Sequence, residues 1–446
     1  MKLNDHPTVK KIKERNDPPS SRLELSSDWL KALVLECGAD DCGFVSIDSE
    51  MIADQKDEIL KSFPSAKFLI SIVCRMNPHS IKAPQRSVAN NEFHHTGRQV
   101  EEICRDIVKR LRGHQVESMN EPMAFPMELA DFPGGKTWIV SHKTVAVAAG
   151  MGQMGIHRSV IHPRFGSFIL LGSVVIDRPV TAPREVPIDF NPCLECKLCV
   201  VACPVGAIHN NGYFNVSACM THNYREFMGG FVDWVKSVTD SNSMKEYQKK
   251  VTDGETVSMW QSLTYGANYK AAYCIAVCPA GEDVISPFLN NRREFVQSVV
   301  RPLQEKEEVI YVVKGTDAAD HVQKRFPKKK IKFVGSGLSV RTIKGFLFGS
   351  TLIFQPGKAK GLSTRIHFRF SGEGGADATY IIENQALEVL GGHIGSRDLL
   401  IECTASNWLS FVRGDLGLIR ALITRKIKVK GNLKHFRAFG EVFPTG

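Results

Sequence analysis

The sequence predicts a multidomain α+β protein: an α/β domain, a cysteine-rich segment and a second α+β domain in series. Three observations predict it. The 446 residues exceed what one hydrophobic core organises. Helical and strand periods alternate up to about residue 185, and the pattern changes again near residue 340. Between those points, seven of the 12 cysteines crowd into the stretch from Cys193 to Cys278.

Residues 1–24 are polar and contain proline, which predicts a flexible arm. From 25 to 185 the expected unit is the α/β domain. Trp29, Leu30, Leu33, Val34 and Cys37 share one face of a helix over 27–40, with Gly38 as its C-cap. Strands are expected at 42–47, 67–74 and 168–176, and helices at 97–114 and 143–150. The last of these helices runs into a glycine-rich turn, Gly150 to Gly155. The cysteine-rich unit is expected over 186–300, a β-α-β connecting segment over 301–339, and the C-terminal domain over 340–446. The apolar runs at 168–176 and 346–354 are strand-length. Neither approaches the roughly 18–20 residues of a membrane span. The polar N-terminus lacks a signal-peptide core, so the expected location is cytoplasmic.

The formal net charge is +10. Part of the excess lies at Lys324, Arg325, Lys328, Lys329, Lys330 and Lys332, and part at Arg425, Lys426, Lys428, Lys430 and Lys434. No RNA-binding or zinc-finger spacing accompanies these runs, so they read as solvated surface and nucleic acid is not an expected partner. An acidic electron donor, such as a small ferredoxin or flavodoxin, is the partner that the charge suits.

Cys193, Cys196, Cys199 and Cys203, followed by Pro204, form the bacterial ferredoxin run C-x2-C-x2-C-x3-C-P. Three thiolates on one tight loop wrap three corners of a 4Fe–4S cube, and the fourth points to another cluster. A zinc site would want two C-x2-C pairs with tetrahedral closure. A second, degraded run, Cys274-Ile-Ala-Val-Cys278-Pro279, repeats the ending of the first. By pseudo-symmetry Cys278 closes the first cluster, and Cys203, Cys219 and Cys274 serve a second. Ala271 stands where the second run wants a cysteine, so that cluster is 3Fe–4S, or 4Fe–4S with another group at the fourth corner; His222 is nearby. Cys37, Cys42, Cys74, Cys104 and Cys403 have apolar neighbours and read as buried free thiols.

Two cysteine runs with an isolated cysteine between them, behind an α/β domain, resemble the epoxyqueuosine reductase and reductive dehalogenase group. The stretch from Ser141 through Gly150, Gly152 and Gly155 to His157, with Phe165-Gly166-Ser167 and Leu170-Leu171-Gly172 behind it, looks like that group's small-residue helix, glycine turn and following strand. The resemblance covers about 27–290. It implies a nitroreductase-like α/β domain with a ferredoxin-like two-cluster domain docked on it, and cobalamin between them receiving electrons. It also departs from epoxyqueuosine reductases: where those carry a proton-donating Asp, this chain reads Ile139-Val140-Ser141-His142-Lys143. From the residues themselves, Gly150, Gly152 and Gly155 permit close backbone approach to a cofactor, or equally tight helix–strand packing. His142 and His157 titrate near neutral pH and suit general acid chemistry, although a single histidine is more often structural. Ser141, His142 and Lys143 are the expected centre of substrate chemistry, with His157 beside them. Asn90, Asn91, Glu92, His94 and His95 are expected to line the same cavity.

Residues 340–446 resemble a sterol-carrier-protein domain through Phe368-Arg369-Phe370-Ser371-Gly372-Glu373, the strands at 379–382 and 399–404, the helix start Ser406-Asn407-Trp408 and the 423–431 stretch. The resemblance implies helices on a five-stranded sheet around an apolar tunnel for lipid-like ligands. The expected function is therefore an iron–sulfur oxidoreductase that passes single electrons through two clusters to a cofactor, which reduces a small, lipid-like substrate. The alternatives are an electron-transfer or redox-sensing protein with a lipid-binding module, and a lipid-binding scaffold whose clusters are structural.

Overall fold

In the strand Phe68–Arg75, six successive residues from Leu69 to Cys74 are buried, which requires cover on both sheet faces. It sits inside a four-stranded sheet ordered Asp41–Ser46, Phe68–Arg75, Ile169–Ile176, Ser118–Asn120, antiparallel throughout. The helices Ser27–Glu36 and Arg86–Gly113 cover one face, and His142–Ala148 covers the other. Gly172 lets the long helix lie close, because a Cβ there would sit 2.7 Å from Cys104 Sγ and Val100 Cγ1. The computed structural model describes residues 3–14, 24–129, 137–181, 193, 196–337 and 339–444. Residues 1–2 and 15–23 of the expected arm lie outside them; within it, Pro7–Glu14 is helical.

The long helix begins at Arg86, not near residue 97. The polar group Asn90 to His95 is its second and third turns, and the stripe Ala89, Asn90, Phe93, Thr96 and Gly97 is buried. In the cysteine-rich part, two short helices repeat one another. Leu198–Ala202 and Tyr273–Ala276 each follow a residue with left-handed backbone, Lys197 (φ 52°) and Ala272 (φ 55°). That repeat superposes Ala271 on Cys196 and Cys274 on Cys199 in sequence offset, so the second half keeps the loop shape although the cysteine is gone. The intervening stretch folds as the helices Val216–Asn223, Gly229–Thr239, Met244–Lys250 and Asp253–Tyr265. Beyond it, Val309–Val312 and Lys330–Phe333 pair in parallel around the helix Asp317–Arg325.

The C-terminal sheet is ordered Ala386–Gly391, Asp377–Glu383, Thr364–Ser371, Leu399–Thr404, Ile427–Gly431, with one parallel pairing, between Thr364–Ser371 and Leu399–Thr404. The apolar run expected as a strand at 346–354 is helical, Ile343–Ile353. Thr342 caps it through Gly345 N–H, and the face Phe346, Gly349, Ser350 packs onto the sheet. Phe346, Phe368, Tyr380 and Trp408 interlock there with ring centroids 4.7–6.2 Å apart. Two expectations about charge also change. Lys329 is buried and donates to Leu303 O, Lys306 O and Glu308 Oε1, while Lys332 pairs with Glu255, so the 324–332 run is partly internal wiring. No described helix is long and apolar enough to cross a membrane.

Candidate metal centre

The cysteines of the two runs converge where the short helices Leu198–Ala202 and Tyr273–Ala276 pack against each other and against Val216–Asn223. Their mutual electrostatics tie all seven together. Cys199 is coupled to Cys278, Cys196 and Cys193, and Cys278 is coupled to the last two as well. Cys219 is coupled to Cys203 and Cys274, and Cys274 to Cys203. Cys274 is coupled as well to Cys199, whose leading sulfur partner it is, and to Cys278. Among the described residues none of the seven is in a disulfide. Burial pushes Cys278 up to about 11 and Cys274 up to about 12, and drives Cys199 and Cys219 up further. Thiols held so strongly protonated become thiolates only when a cationic centre replaces their protons. Among the described residues no trio of His, Cys, Asp or Glu closes around a single metal ion.

The surrounding backbone is arranged for sulfur with negative charge. Ala207 N–H donates to Cys203 Sγ at 3.3 Å, and the amides of Val205, Gly206 and Ile208 face the same sulfur. The Leu198 amide faces Cys196, the Ala280 amide and the Ser167 hydroxyl face Cys278, and the Ile275 amide faces Cys274. Such hydrogen bonds stabilise the reduced cluster and raise its potential. Gly166 (φ 65°) and Gly281 touch backbone to backbone: a Cβ on Gly166 would stand 1.9 Å from Ala280 O. That contact fixes the Cys278 segment to the turn before the strand Ile169–Ile176.

The expected chemistry triplet separates. His142 Nδ1 meets Ser173 Oγ at 2.9 Å and Nε2 meets Pro122 O at 2.8 Å, so both ring nitrogens hold the sheet and neither is left for substrate. Ser141 N–H donates to Gln55 Oε1 at 2.7 Å. Lys143 donates to Arg158 O at 2.6 Å and is coupled to Cys274 and Cys219. It is exposed by surface area, yet protein encloses it closely enough that burial pulls its pKa down. His157 is buried; its Nδ1 accepts from Ser159 N–H, leaving the proton on Nε2, which has no partner among the described residues. Burial, with Lys143 adding to it, pushes its pKa down to about 4, so the ring is neutral.

Chain packing accounts for two of the three turn glycines. A Cβ on Gly152 (φ 154°) would meet Ile161 O at 2.3 Å, and one on Gly155 would meet His157 Cε1 at 2.8 Å. Gly150 (φ 73°) takes the left-handed conformation at the helix end. Of the polar group on the long helix, Asn90, Asn91 and His94 line a cavity of about 690 Å³, which Ser141, His142 and Lys143 do not line. His222 faces that cavity too, not the thiols: its Nδ1 accepts from Tyr311 N–H and its ring lies over Tyr311. No local sequence signal marks Arg86, Lys270 or Tyr311 as cavity residues; their convergence is purely three-dimensional.

Comparison with known proteins fits this picture. Residues 186–209 match the 4Fe-4S binding domain family, and residues 354–444 match the SCP-2 sterol transfer family. The epoxyqueuosine reductase of Aliivibrio fischeri is 27% identical over 126 residues, 28% of this chain and 31% of that protein. The chain is similar to epoxyqueuosine reductases, with a sterol-carrier-type domain behind it. Its match spans about a third of the length of the curated relatives. Among solved structures, epoxyqueuosine reductase from Streptococcus thermophilus aligns with a TM-score of 0.33 at 17% identity, over 61% of this chain and 74% of that one. A catabolic reductive dehalogenase in complex with 3-bromo-4-hydroxybenzoic acid aligns with a TM-score of 0.36 at 15% identity, over 61% and 34%.

Proposed function

We propose that this chain is an iron–sulfur reductase that relays single electrons through two clusters to a cofactor, which reduces a hydrophobic organic substrate. The observation that carries the reading is the ferredoxin-type run Cys193, Cys196, Cys199 and Cys203, brought by the fold within the electrostatic reach of Cys219, Cys274 and Cys278. Cys193, Cys196, Cys199 and Cys278 hold a 4Fe–4S cube. Cys203, Cys219 and Cys274 hold the second cluster, which is 3Fe–4S or a four-iron cube with a non-protein group at the position that Ala271 leaves unligated. Two adjacent one-electron centres make a relay, not a scaffold.

Cobalamin is the cofactor proposed, on the enclosed but open environment of Lys143 beside Cys219 and Cys274. Lys143 and the Nε2–H of His157 are the groups that would hold its polar edges. When bound, it supplies a cobalt centre that takes up electrons singly and attacks or reduces a carbon–heteroatom bond. His142 is left out of the chemistry, because its hydrogen bonds bind it into the sheet. Ser141 stays at the entrance of the helix His142–Ala148 as a substrate contact. The C-terminal domain would present the lipid-like substrate, and a net charge of +10 suits an acidic donor protein.

The test is anaerobic purification followed by metal analysis, absorption spectroscopy and dithionite reduction. Iron, acid-labile sulfide and cobalt in one sample, with clusters that reduce, are the expected result. Reducible clusters with neither cobalt nor flavin would make the chain an electron-transfer protein. Clusters that dithionite leaves oxidised would make them structural.

A further inference from the structure

We infer that the cavity between the helices Arg86–Gly113 and Asp253–Tyr265 and the segment 306–311 binds the oxyanion group, phosphate or carboxylate, of a small organic molecule. This inference does not rest on the cluster or cofactor reading. Three features of the cavity carry it.

The first is Arg86. Its guanidinium is 7% exposed and lines the cavity. Nη1 donates to Ile81 O at 3.3 Å and Ala83 O at 3.2 Å, and the group lies over the Tyr273 ring at 5.4 Å. Nε and Nη2 have no partner among the described residues. A guanidinium stays protonated in proteins, so this is a desolvated cation with two donors on one edge unpaired. That edge has the fork geometry that a carboxylate or phosphate accepts in bidentate fashion.

The second is His222, 1% exposed on the same cavity. Because its Nδ1 accepts from Tyr311 N–H at 3.3 Å, the hydrogen of the neutral ring must be on Nε2. That N–H also has no partner among the described residues. Leaving a buried donor unmade is costly, and here two unrelated residues that line one cavity both do so.

The third is charge. Arg86, Arg98, Lys270 and Lys306 line the cavity with Glu307 and Glu308, and Lys270 is paired with the buried Glu226 behind it, so Arg86, Arg98 and Lys306 face the two lining carboxylates. Glu308 is already shared: Lys329 lies 2.6 Å from it and Lys306 3.3 Å, and Tyr273 OH donates to it at 2.7 Å. One carboxylate therefore serves two lysines and also the field of Arg86. A neutral ligand would satisfy the donors and leave the charge; an oxyanion satisfies both. At about 690 Å³ the space has the size of a small-molecule site.

Calorimetric titration of the full-length holoprotein with inorganic phosphate, citrate and ADP, against sodium chloride at equal ionic strength, tests the inference. Saturable one-to-one binding of at least one probe is expected; phosphate and ADP against citrate then tell a phosphate site from a carboxylate site. Arg86→Lys keeps the charge but loses the fork, and should weaken binding about tenfold. His222→Phe should weaken it several-fold, and Lys306→Gln less. Arg86→Lys and His222→Phe act on different elements, so a folding defect in one leaves the other as the test. No saturable heat up to about 10 mM of any probe, or affinity unchanged in both variants, would overturn the assignment.

Discussion

Glu226→Gln should loosen the wall formed by the helix Asp253–Tyr265 without unfolding the chain. That helix buries only Met259 and Ser262, and Val257, Trp260, Leu263 and Tyr265 are exposed, so apolar packing holds it weakly. Its anchor is polar. Glu226, 3% exposed, accepts from Ser258 Oγ at 2.5 Å, Ser262 Oγ at 2.6 Å and Asn268 Nδ2 at 2.8 Å, and pairs with Lys270. Removing one partner from a buried pair costs about 3–5 kcal/mol. The Lys270 side chain keeps 23% of its surface and rehydrates, and glutamine retains part of the hydrogen bonding, so about 2 kcal/mol is expected. If the helix opens as a local unit, its amides should exchange hydrogen roughly thirtyfold faster. Burial raises the Glu226 pKa, but the Lys270 charge and the hydrogen bonds outweigh it and hold the carboxyl below the usual glutamate range. A depressed acid stabilises the fold above its unfolded pKa and loses that contribution as pH falls through the folded one. Wild-type exchange over 253–265 should therefore rise on acidification below the ordinary glutamate range, and the variant should show less of that rise. Peptide-resolved exchange that is unchanged over 253–265, or that rises equally across the whole chain, would refute the reasoning.

Other expectations follow from single contacts. Gly166→Ala drives a methyl into Ala280 O and should displace the Cys278 segment; iron per chain should fall while far-ultraviolet circular dichroism stays the same. Ser167→Ala removes a hydroxyl that lies beside Cys278 and donates a long bond, 3.4 Å, to Ile275 O; losing its dipole should lower the midpoint of the first cluster by up to about 40 mV in a redox titration followed by paramagnetic resonance, equivalent to a hydrogen bond of about 1 kcal/mol. Trp408→Ala empties the centre of the C-terminal aromatic core and should cost about 3–5 kcal/mol in denaturant unfolding of that domain, with the cluster spectrum unaltered.

The parts of the fold legible in sequence are those whose cause is local. The strands Phe68–Arg75 and Ile169–Ile176 are apolar runs that need cover on both faces, and the sheet gives it. The ferredoxin spacing is local too, and the left-handed Lys197 and Ala272 show that the loop repeats even where Ala271 replaces cysteine. The run at 346–354 misled because apolar content without polar alternation fits a strand or a buried helix; the Thr342 cap and the Phe346–Ser350 face decided it. Side-chain roles were the least legible. His142 looks chemical until Ser173 and Pro122, 31 and 20 residues away, take both its nitrogens. Lys329 reads as surface charge until Glu308 draws it inside. Nothing near Arg86 in sequence announces that its guanidinium edge has no partner among the described residues.

The account stands on thiol groups that cage iron and sulfide, and one sample tests it most directly. Anaerobically isolated protein should be brown, with about seven or eight iron atoms per chain and matching acid-labile sulfide, one four-iron cube plus a three- or four-iron cluster. In Cys274→Ser the signal of the second cluster should change while that of the first survives. Colourless protein holding zinc, or a spectrum that Cys274→Ser leaves untouched, would contradict it.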